Sequence, residues 1–141
     1  HLYKNKLINK KTMKYSNLII RLGIGLLFVW GGLENFFEGF LGGVGLQNMA
    51  DFLNSKGFSF LGDNGTYVLG VLLALFELVA GILVLANKKL KYAYAFLAFI
   101  MFVALVLVHF PSGNWMNIMI HITLFTTLLG LAFENLIKLR S

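Results

Sequence analysis

Cysteine, proline and charge are the scarce components of this sequence. Its 141 residues include no cysteine and one proline, and only 13% of them are charged. Without cysteine the chain can form no disulfide, no thiolate metal site and no dithiol redox pair. A single proline permits long helices, because proline breaks a helix interior. Globular domains carry about 25% charged residues, so the low charge argues against an ordinary soluble domain.

Long apolar segments fill the chain instead. The composition is 58% hydrophobic, and the mean hydropathy is +0.78. No Asp, Glu, Lys or Arg occurs from Tyr92 to Phe133, and Glu77 is the only one between Gly65 and Asn87. A helix of about 20 apolar residues crosses the hydrocarbon core of a bilayer. The sequence therefore predicts an integral membrane protein in contact with the lipid bilayer.

The apolar segments divide into four spans, so we predict an all-α fold, a membrane four-helix bundle. The spans are Leu18–Phe37, Thr66–Leu85, Tyr92–Phe110 and Asn114–Leu136. A turn at Pro111 separates the last two, because proline disfavours helix in the residue before it. In the loop after the first span, LQNMADFLNSKG predicts a short amphipathic helix capped by Gly57. We divide the chain into a basic tail, 1–16, and a transmembrane domain, 17–141.

The basic residues lie almost entirely on one side of the predicted bundle. Of the 12 Lys and Arg residues, only Lys56 falls on the other side. By the positive-inside rule, both termini and the Lys88–Lys91 loop are cytoplasmic. No small-residue cleavage site follows the first apolar run, so we interpret that run as an anchor rather than a cleaved signal peptide. Beside an anchor, a basic tail serves topology and anionic lipid rather than nucleic acid.

Ionisable residues at membrane depth are the main candidates for function, because burying them in lipid costs several kcal/mol. Glu77 lies about halfway along the second span, about 16 Å from its start. Its carboxyl group either hydrogen-bonds a neighbouring helix or handles protons or a ligand. His109 ends the third span and His121 lies two turns into the fourth, on antiparallel neighbours. Together with Glu34 and Asn35 they could form a polar cluster above Glu77.

A metal or haem at the histidines is an alternative that we do not favour. Met116, Met119 and His121 are close in sequence, and thioether with imidazole suits Cu(I). Two histidines on adjacent helices could also ligate haem. Methionines in membrane helices usually serve packing, however, so we predict no metal site.

Two further features have structural explanations. Arg21, one turn inside the cytoplasmic end, can extend to the interface or pair with Glu134, and Glu134 has the i,i+4 spacing of an ion pair with Lys138. Glycines within the spans allow close helix contact. They are Gly23, Gly25, Gly31, Gly32, Gly70, Gly81 and Gly130.

Several of these residues form patterns found in a known family. RLGIGLLFVWGGLENFF resembles the first helix of DoxX-family membrane proteins. FELVAGILVLANKKLKYAYAFLAFIMFVALVLVHF resembles the second and third helices, with Glu77 and Gly81 on a Glu-x-x-x-Gly pattern. The basic turn maps on Lys88–Lys91 and a closing histidine on His109. The resemblance covers Arg21–Glu134, and the PSG that follows the histidine resembles the bacterial DoxX-like branch.

The resemblance implies a four-helix membrane bundle linked to quinone-dependent oxidation in the bacterial inner membrane. We expect an accessory or non-catalytic subunit of a larger redox or respiratory membrane complex. The alternatives are a component that binds quinone or another lipophilic ligand, and a small transporter or membrane chaperone. Many relatives carry a lysine before the Phe pair of the first helix, where this chain has Asn35. Glu77 therefore needs another partner: His121, Asn35, a protonated carboxyl bonded within the bundle, or a ligand.

Overall fold

The computed structural model describes residues 1–138, apart from the side chain of Phe40. Arg140, one of the basic residues used for orientation, lies outside the described residues. Within the described part the secondary structure is helical and contains no strand. The main helices are α1 (Leu2–Phe36), α2 (Gly45–Leu53), α3 (Gly62–Leu85), α4 (Leu90–Ala104) and α5 (Trp115–Lys138).

Four of the helices in residues 1–138 are long and apolar enough to cross a membrane, as the sequence predicts. They are α1, α3, α4 with its extension to Ser112, and α5. Large apolar side chains point away from the bundle on all four; Leu26 and Phe99 are both 61% exposed. Such a surface would be insoluble in water, so it is the surface that contacts the bilayer.

Helix α1 extends far beyond the predicted first span. It begins at Leu2, so the basic tail 1–16 is helical and continuous with the membrane segment. The first glycine is Gly23, and no proline precedes it, so nothing in the tail interrupts the helix. The side chains of residues 1–16 are exposed, which leaves the lysines of the tail in solvent or at the lipid surface.

Helix α4 ends in a widened turn rather than at the proline. After Ala104 the chain forms one π-helical turn, Leu105–His109, in which the Phe110 amide donates to the Leu105 carbonyl. A short helical segment, Phe110–Ser112, follows and ends at Gly113, whose φ is 69°. The helix therefore continues through Pro111, two residues beyond the predicted end of the span. We attribute this to the wider turn, which relieves the clash between a proline ring and the preceding turn.

The core of the bundle lies between all four membrane helices. α1 packs mainly on α3, α4 packs mainly on α5, and α3 joins the two pairs through α4. The buried residues come from every membrane helix: Phe28 of α1; Ala80 and Val84 of α3; Ala93, Tyr94, Leu97 and Ala98 of α4; Leu128 and Ala132 of α5. One shared core fixes the helices relative to one another, and so fixes the spaces between them.

Glycines bring α1 and α3 into backbone contact. A Cβ on Gly32 would lie 2.9 Å from the Leu78 Cα, and a Cβ on Gly81 would lie 2.8 Å from the Val29 amide nitrogen. Both distances are shorter than real side chains show, so glycine is required for this approach. In contrast, Gly23 and, on α5, Gly130 have no atom within 4 Å of such a Cβ, and the predicted close contacts at these two positions are absent.

Candidate functional site

The same interface positions Glu77. The carboxylate oxygen Oε1 of Glu77 lies where a Cβ on Gly31 of α1 would stand. Gly81 lies one turn further along α3, at the point where α1 approaches most closely. The Glu-x-x-x-Gly pattern therefore has a structural explanation. Gly81 lets the α1 backbone pack directly on α3, and Gly31 of α1 leaves space for the carboxyl group of Glu77.

Glu77 has no hydrogen bond or ion pair within residues 1–138. Glu34 of α1 is a second carboxyl group within electrostatic range. Asn35, one turn beyond Gly31 on the same helix, is only 9% exposed and also makes no side-chain hydrogen bond in this part of the chain. Neither Asn35 nor His121 is thus the hydrogen-bond partner of Glu77. The acids Glu34 and Glu77 and the amide Asn35 lie at the α1–α3 interface, and α1 contributes no basic residue there.

An apolar cavity of about 140 Å³ adjoins Glu77. We call it the Glu77 cavity. Its walls come from α2, α3, the turn after α2, and α4 with its π turn. They consist of Met49, Phe52, Leu53, Lys56, Phe58, Leu73, Glu77, Ile100, Val103, Ala104, Leu107 and Val108. Glu77 and Lys56 are the only charged groups among these residues, so the cavity combines an apolar wall with one acid and one base.

Helix α2 covers this cavity because it packs on α3 at a glycine. A Cβ on Gly70 would lie 3.3 Å from the Met49 Cγ and 3.7 Å from the Leu53 Cδ1. These two residues are on the face that the sequence predicts to be apolar, and both also line the cavity. Helix α2 is followed by a turn in which Gly57 has a φ of 97°, and this turn carries Lys56 back to the cavity.

The two histidines form a stacked pair. The ring centroids of His109 and His121 are 3.6 Å apart, with 29° between the planes. His121 is fixed further by a 2.8 Å hydrogen bond in which its Nδ1 donates to the Asn117 carbonyl. The predicted proximity of the two histidines across the turn is therefore present in the structure.

The polar cluster expected from the sequence is not joined by bonds within the described residues. No hydrogen bond, ion pair or ring contact within residues 1–138 joins the histidine pair to Glu34, Asn35 or Glu77. Val108, next to His109 in the π turn, lines the Glu77 cavity, but neither histidine does. Within the described residues the contacts thus define a histidine pair between α4 and α5 and, at the α1–α3 interface, a pair of neighbouring acids, Glu34 and Glu77.

The donors considered for a metal or haem are His109, His121, Met116 and Met119. No group of three or more His, Cys, Asp or Glu side chains in the described residues is arranged to hold a metal. Met116 is 70% exposed and Met119 is 54% exposed. Imidazoles that ligate one haem from both sides approach opposite faces of the macrocycle, whereas these rings stack directly on each other.

At the opposite end of the bundle, Arg21 and Glu134 line one cavity but form no ion pair with each other within residues 1–138. Glu134 instead pairs with Lys138, whose Nζ lies 3.0 Å from the carboxylate. This is the i,i+4 pair that the spacing predicts, and it forms within one helix at no cost in tertiary ordering.

Lys56 and Tyr94 are the residues of interest that the sequence does not reveal. Lys56 is the one basic residue of the predicted outer loop, and Tyr94 is one aromatic among many in an apolar run. Only the turn after α2 brings Lys56 to the Glu77 cavity, and only the packing of α4 places Tyr94 in the core. An unexpected lysine in an acidic and apolar loop is the one signal that could have indicated the first of them.

The comparison with protein families bears on these same elements. The model of the DoxX family matches residues 16–110, more than half of the chain. The chain belongs to the DoxX family. The DoxX match includes Gly31, Glu77, Gly81 and His109, and it ends before α5, which carries His121. No curated protein and no solved structure matches the chain.

Proposed function

We propose that this DoxX protein binds the head group of a quinone, or of a similar lipophilic carbonyl compound, in the Glu77 cavity. In this proposal it acts as an accessory component of quinone-linked redox machinery in the membrane. The observation that carries the proposal is the placement of an unpartnered carboxyl group beside an otherwise apolar cavity.

The size and chemistry of the cavity support a ring-shaped head group. A volume of about 140 Å³ is that of a cavity for one benzene-sized ring, so the larger substituents and the isoprenoid chain of such a ligand would remain in lipid. Ligand sites are mostly apolar, with a few polar groups that fix orientation. Glu77 and Lys56 supply two such groups, and a ring carbonyl can accept a hydrogen bond from a protonated carboxyl or from an ammonium group.

The chain would supply binding and proton exchange rather than electrons. It has no cysteine to hold an iron–sulfur centre or a dithiol, so the electrons would come from a partner in a larger membrane complex. Because quinone chemistry couples electrons to protons, Glu77 is placed to exchange a proton with the ligand while Gly31 keeps its carboxyl oriented. The histidine pair lies outside the cavity wall and has no direct role in this proposal.

We place the protein in a bacterial cytoplasmic membrane with both termini inside. The support is the distribution of Lys and Arg, of which Lys56 alone lies in the loop opposite to the termini. In this orientation the Glu77 cavity opens toward the outer half of the bilayer. The stacked histidines would lie on the same outer side.

Calorimetric titration of the purified full-length protein with a short-chain ubiquinone and a short-chain menaquinone tests the proposal. Replacing Glu77 by leucine removes the hydrogen bond at nearly constant volume and should weaken binding about tenfold. Glu77→Gln keeps a donor and should retain most of the affinity.

Glu34→Gln is the matched control, because Glu34 is a neighbouring acid that does not line the cavity. Its affinity should stay within about threefold of the unmodified protein, the range expected when only a partly screened charge is lost. If Glu77→Leu binds both quinones as tightly as the unmodified protein does, the cavity is not the site and the proposal fails.

A further inference from the structure

A second cavity, of about 290 Å³, lies at the end of the bundle that carries the termini. We call it the Arg21 cavity. It lies between α1, the turn before α4, α4 and α5. Its walls are Lys14, Asn17, Ile20, Arg21, Asn87, Leu90, Tyr94, Leu131, Glu134, Asn135 and Lys138. In contrast to the Glu77 cavity, most of its walls are polar.

The charges of the Arg21 cavity do not balance. Glu134 is its only acid and is already paired with Lys138 at 3.0 Å. Lys14 and Arg21 have no ion-pair partner among residues 1–138. They lie seven residues apart on α1 with Asn17 between them, so the three side chains form one stripe that faces the cavity. Lys14 is exposed and Arg21 is half-buried, so two cations without an ion-pair partner in residues 1–138 border the cavity.

A buried hydroxyl group also faces this space. Tyr94 is only 1% exposed, and its hydroxyl makes no hydrogen bond within the described residues. In this part of the chain no polar side-chain atom is both fully enclosed and unpaired, so the hydroxyl must open onto a space. The cavity that Tyr94 lines is that space, and Arg21 and Glu134 are both within electrostatic range of the hydroxyl.

The position of the cavity favours a ligand from the membrane surface. Arg21 lies near the start of the apolar part of α1, one turn inside the predicted first span, where a basic side chain can extend to the lipid head groups. Lys88, Lys89 and Lys91 lie in and next to the turn before α4, which also borders the cavity. The gap between α1 and α5, which make few contacts with each other, is open to an acyl chain. Basic pockets between membrane helices at this depth bind anionic lipid head groups.

From these observations we propose that the Arg21 cavity binds an anionic phosphate group, with an anionic phospholipid as its source. Arg21 and Lys14 hold the phosphate oxygens, and the Tyr94 hydroxyl donates a hydrogen bond from the floor of the cavity. Arginine suits this role because its planar guanidinium can donate two parallel bonds to one phosphate. This site is separate from the Glu77 cavity and does not depend on the quinone proposal.

Native mass spectrometry of the full chain, released from detergent in the presence of defined lipids, tests this site. We expect phosphatidylglycerol to remain bound at least about tenfold more than phosphatidylcholine. Arg21→Gln should reduce bound phosphatidylglycerol about tenfold, because a charge-assisted hydrogen bond is lost. Tyr94→Phe, which removes one oxygen and leaves the ring in the core, should reduce it about threefold.

Lys6→Gln is the matched control, since it removes the same charge from an exposed position of α1 that lines no cavity. It should leave bound phosphatidylglycerol unchanged. Equal losses in Lys6→Gln and Arg21→Gln would show general attraction to the basic tail and would overturn the proposal. If Arg21→Gln does not fold, Tyr94→Phe provides the test. The proposal is then overturned if Tyr94→Phe binds as much phosphatidylglycerol as the unmodified protein.

Inorganic phosphate and glycerol 3-phosphate distinguish the two sources of the same chemistry. A lipid site holds these soluble anions weakly, because they lack the acyl chains that occupy the gap between α1 and α5. Binding of either one as tight as that of phosphatidylglycerol, with the same sensitivity to Arg21→Gln, would keep the phosphate site and overturn the lipid as its source.

Discussion

The Glu77 cavity and the Arg21 cavity differ in volume, in the polarity of their walls and in the pairing of their acidic side chains. The first has about 140 Å³ and is nearly all apolar, while the second has about 290 Å³ and mostly polar walls. Glu77 lies about two-thirds along α3 and has no hydrogen-bond or ion-pair partner within residues 1–138, whereas Glu134 lies near a helix end and pairs with Lys138. An acid deep in a membrane span is costly, and this cost is the reason for proposing a ligand beside Glu77.

The helix contacts near the two cavities also differ. Beside Glu77, α1 and α3 are held in backbone contact by Gly32 and Gly81. Around Arg21, α1 and α5 make few contacts with each other, and long polar side chains line the cavity between them. The Glu77 cavity offers an apolar wall with one acid and one base, whereas the Arg21 cavity offers several cationic and amide side chains. The predictions below change the α1–α3 contact, the Glu77 cavity and the Arg21 cavity in turn.

The largest effect on stability should come from the α1–α3 contact. Gly32→Ala places a Cβ within 2.9 Å of the Leu78 backbone, and overpacking of this kind costs about 1–3 kcal/mol. We expect a lower midpoint of thermal unfolding in detergent, followed by circular dichroism. Gly23→Ala is the control on the same helix, where a Cβ meets open space. An equal loss in both variants would show that the close contact is not what stabilises this pair.

Filling the Glu77 cavity should weaken quinone binding without changing lipid binding at the Arg21 cavity. Ala104 lines only this cavity, and Ala104→Phe should lower quinone affinity at least about tenfold, because an aromatic ring occupies much of the volume. Phosphatidylglycerol bound at the Arg21 cavity should not change. Ala95→Phe, at an exposed position of the same helix, controls for added bulk. Unchanged quinone binding in Ala104→Phe would place the ligand elsewhere.

The smallest effect on stability should come from Glu134. Its pair with Lys138 is about half exposed, with 45% and 44% of the two side chains accessible, and such pairs contribute about 0.5 kcal/mol or less. Glu134→Gln should therefore leave the unfolding midpoint nearly unchanged. It should also raise bound phosphatidylglycerol, since it removes the only acid from the Arg21 cavity. A fall in bound lipid would contradict the charge argument for that site.

Much of the fold could be predicted from the sequence because a membrane-spanning helix is recognised by the length and hydrophobicity of its segment. The four apolar segments, the separation of the third and fourth spans near Pro111 and the i,i+4 pair at Glu134 all appear in the structure. The helix ends were less predictable. The sequence places the end of the third span before the proline, but the π turn at Leu105–His109 lets the helix continue. Such a turn has no signal in the local pattern.

The candidate sites were only partly predictable. The sequence identifies Glu77 by its depth and His109 and His121 by the short turn between them, and the histidines do stack. It suggests one cluster of these residues with Glu34 and Asn35; no hydrogen bond, ion pair or ring contact within residues 1–138 joins the histidine pair to those two residues, and the single cluster stays a prediction. Which face of a helix a residue occupies relative to its neighbours depends on helix rotation and crossing angle, and these are set by side-chain packing.

The sequence by itself determined that the protein is a membrane bundle, which segments cross the membrane, and that one acid lies at the middle of a span. These properties follow from the lengths of the apolar segments and their positions along the chain, which the sequence gives directly. Only the tertiary structure decided that Gly31 makes room for Glu77, that Lys56 returns to the same cavity, and that Tyr94 opens onto a second one. Each of these depends on two helices meeting in one orientation, because close-packed side chains admit few alternatives.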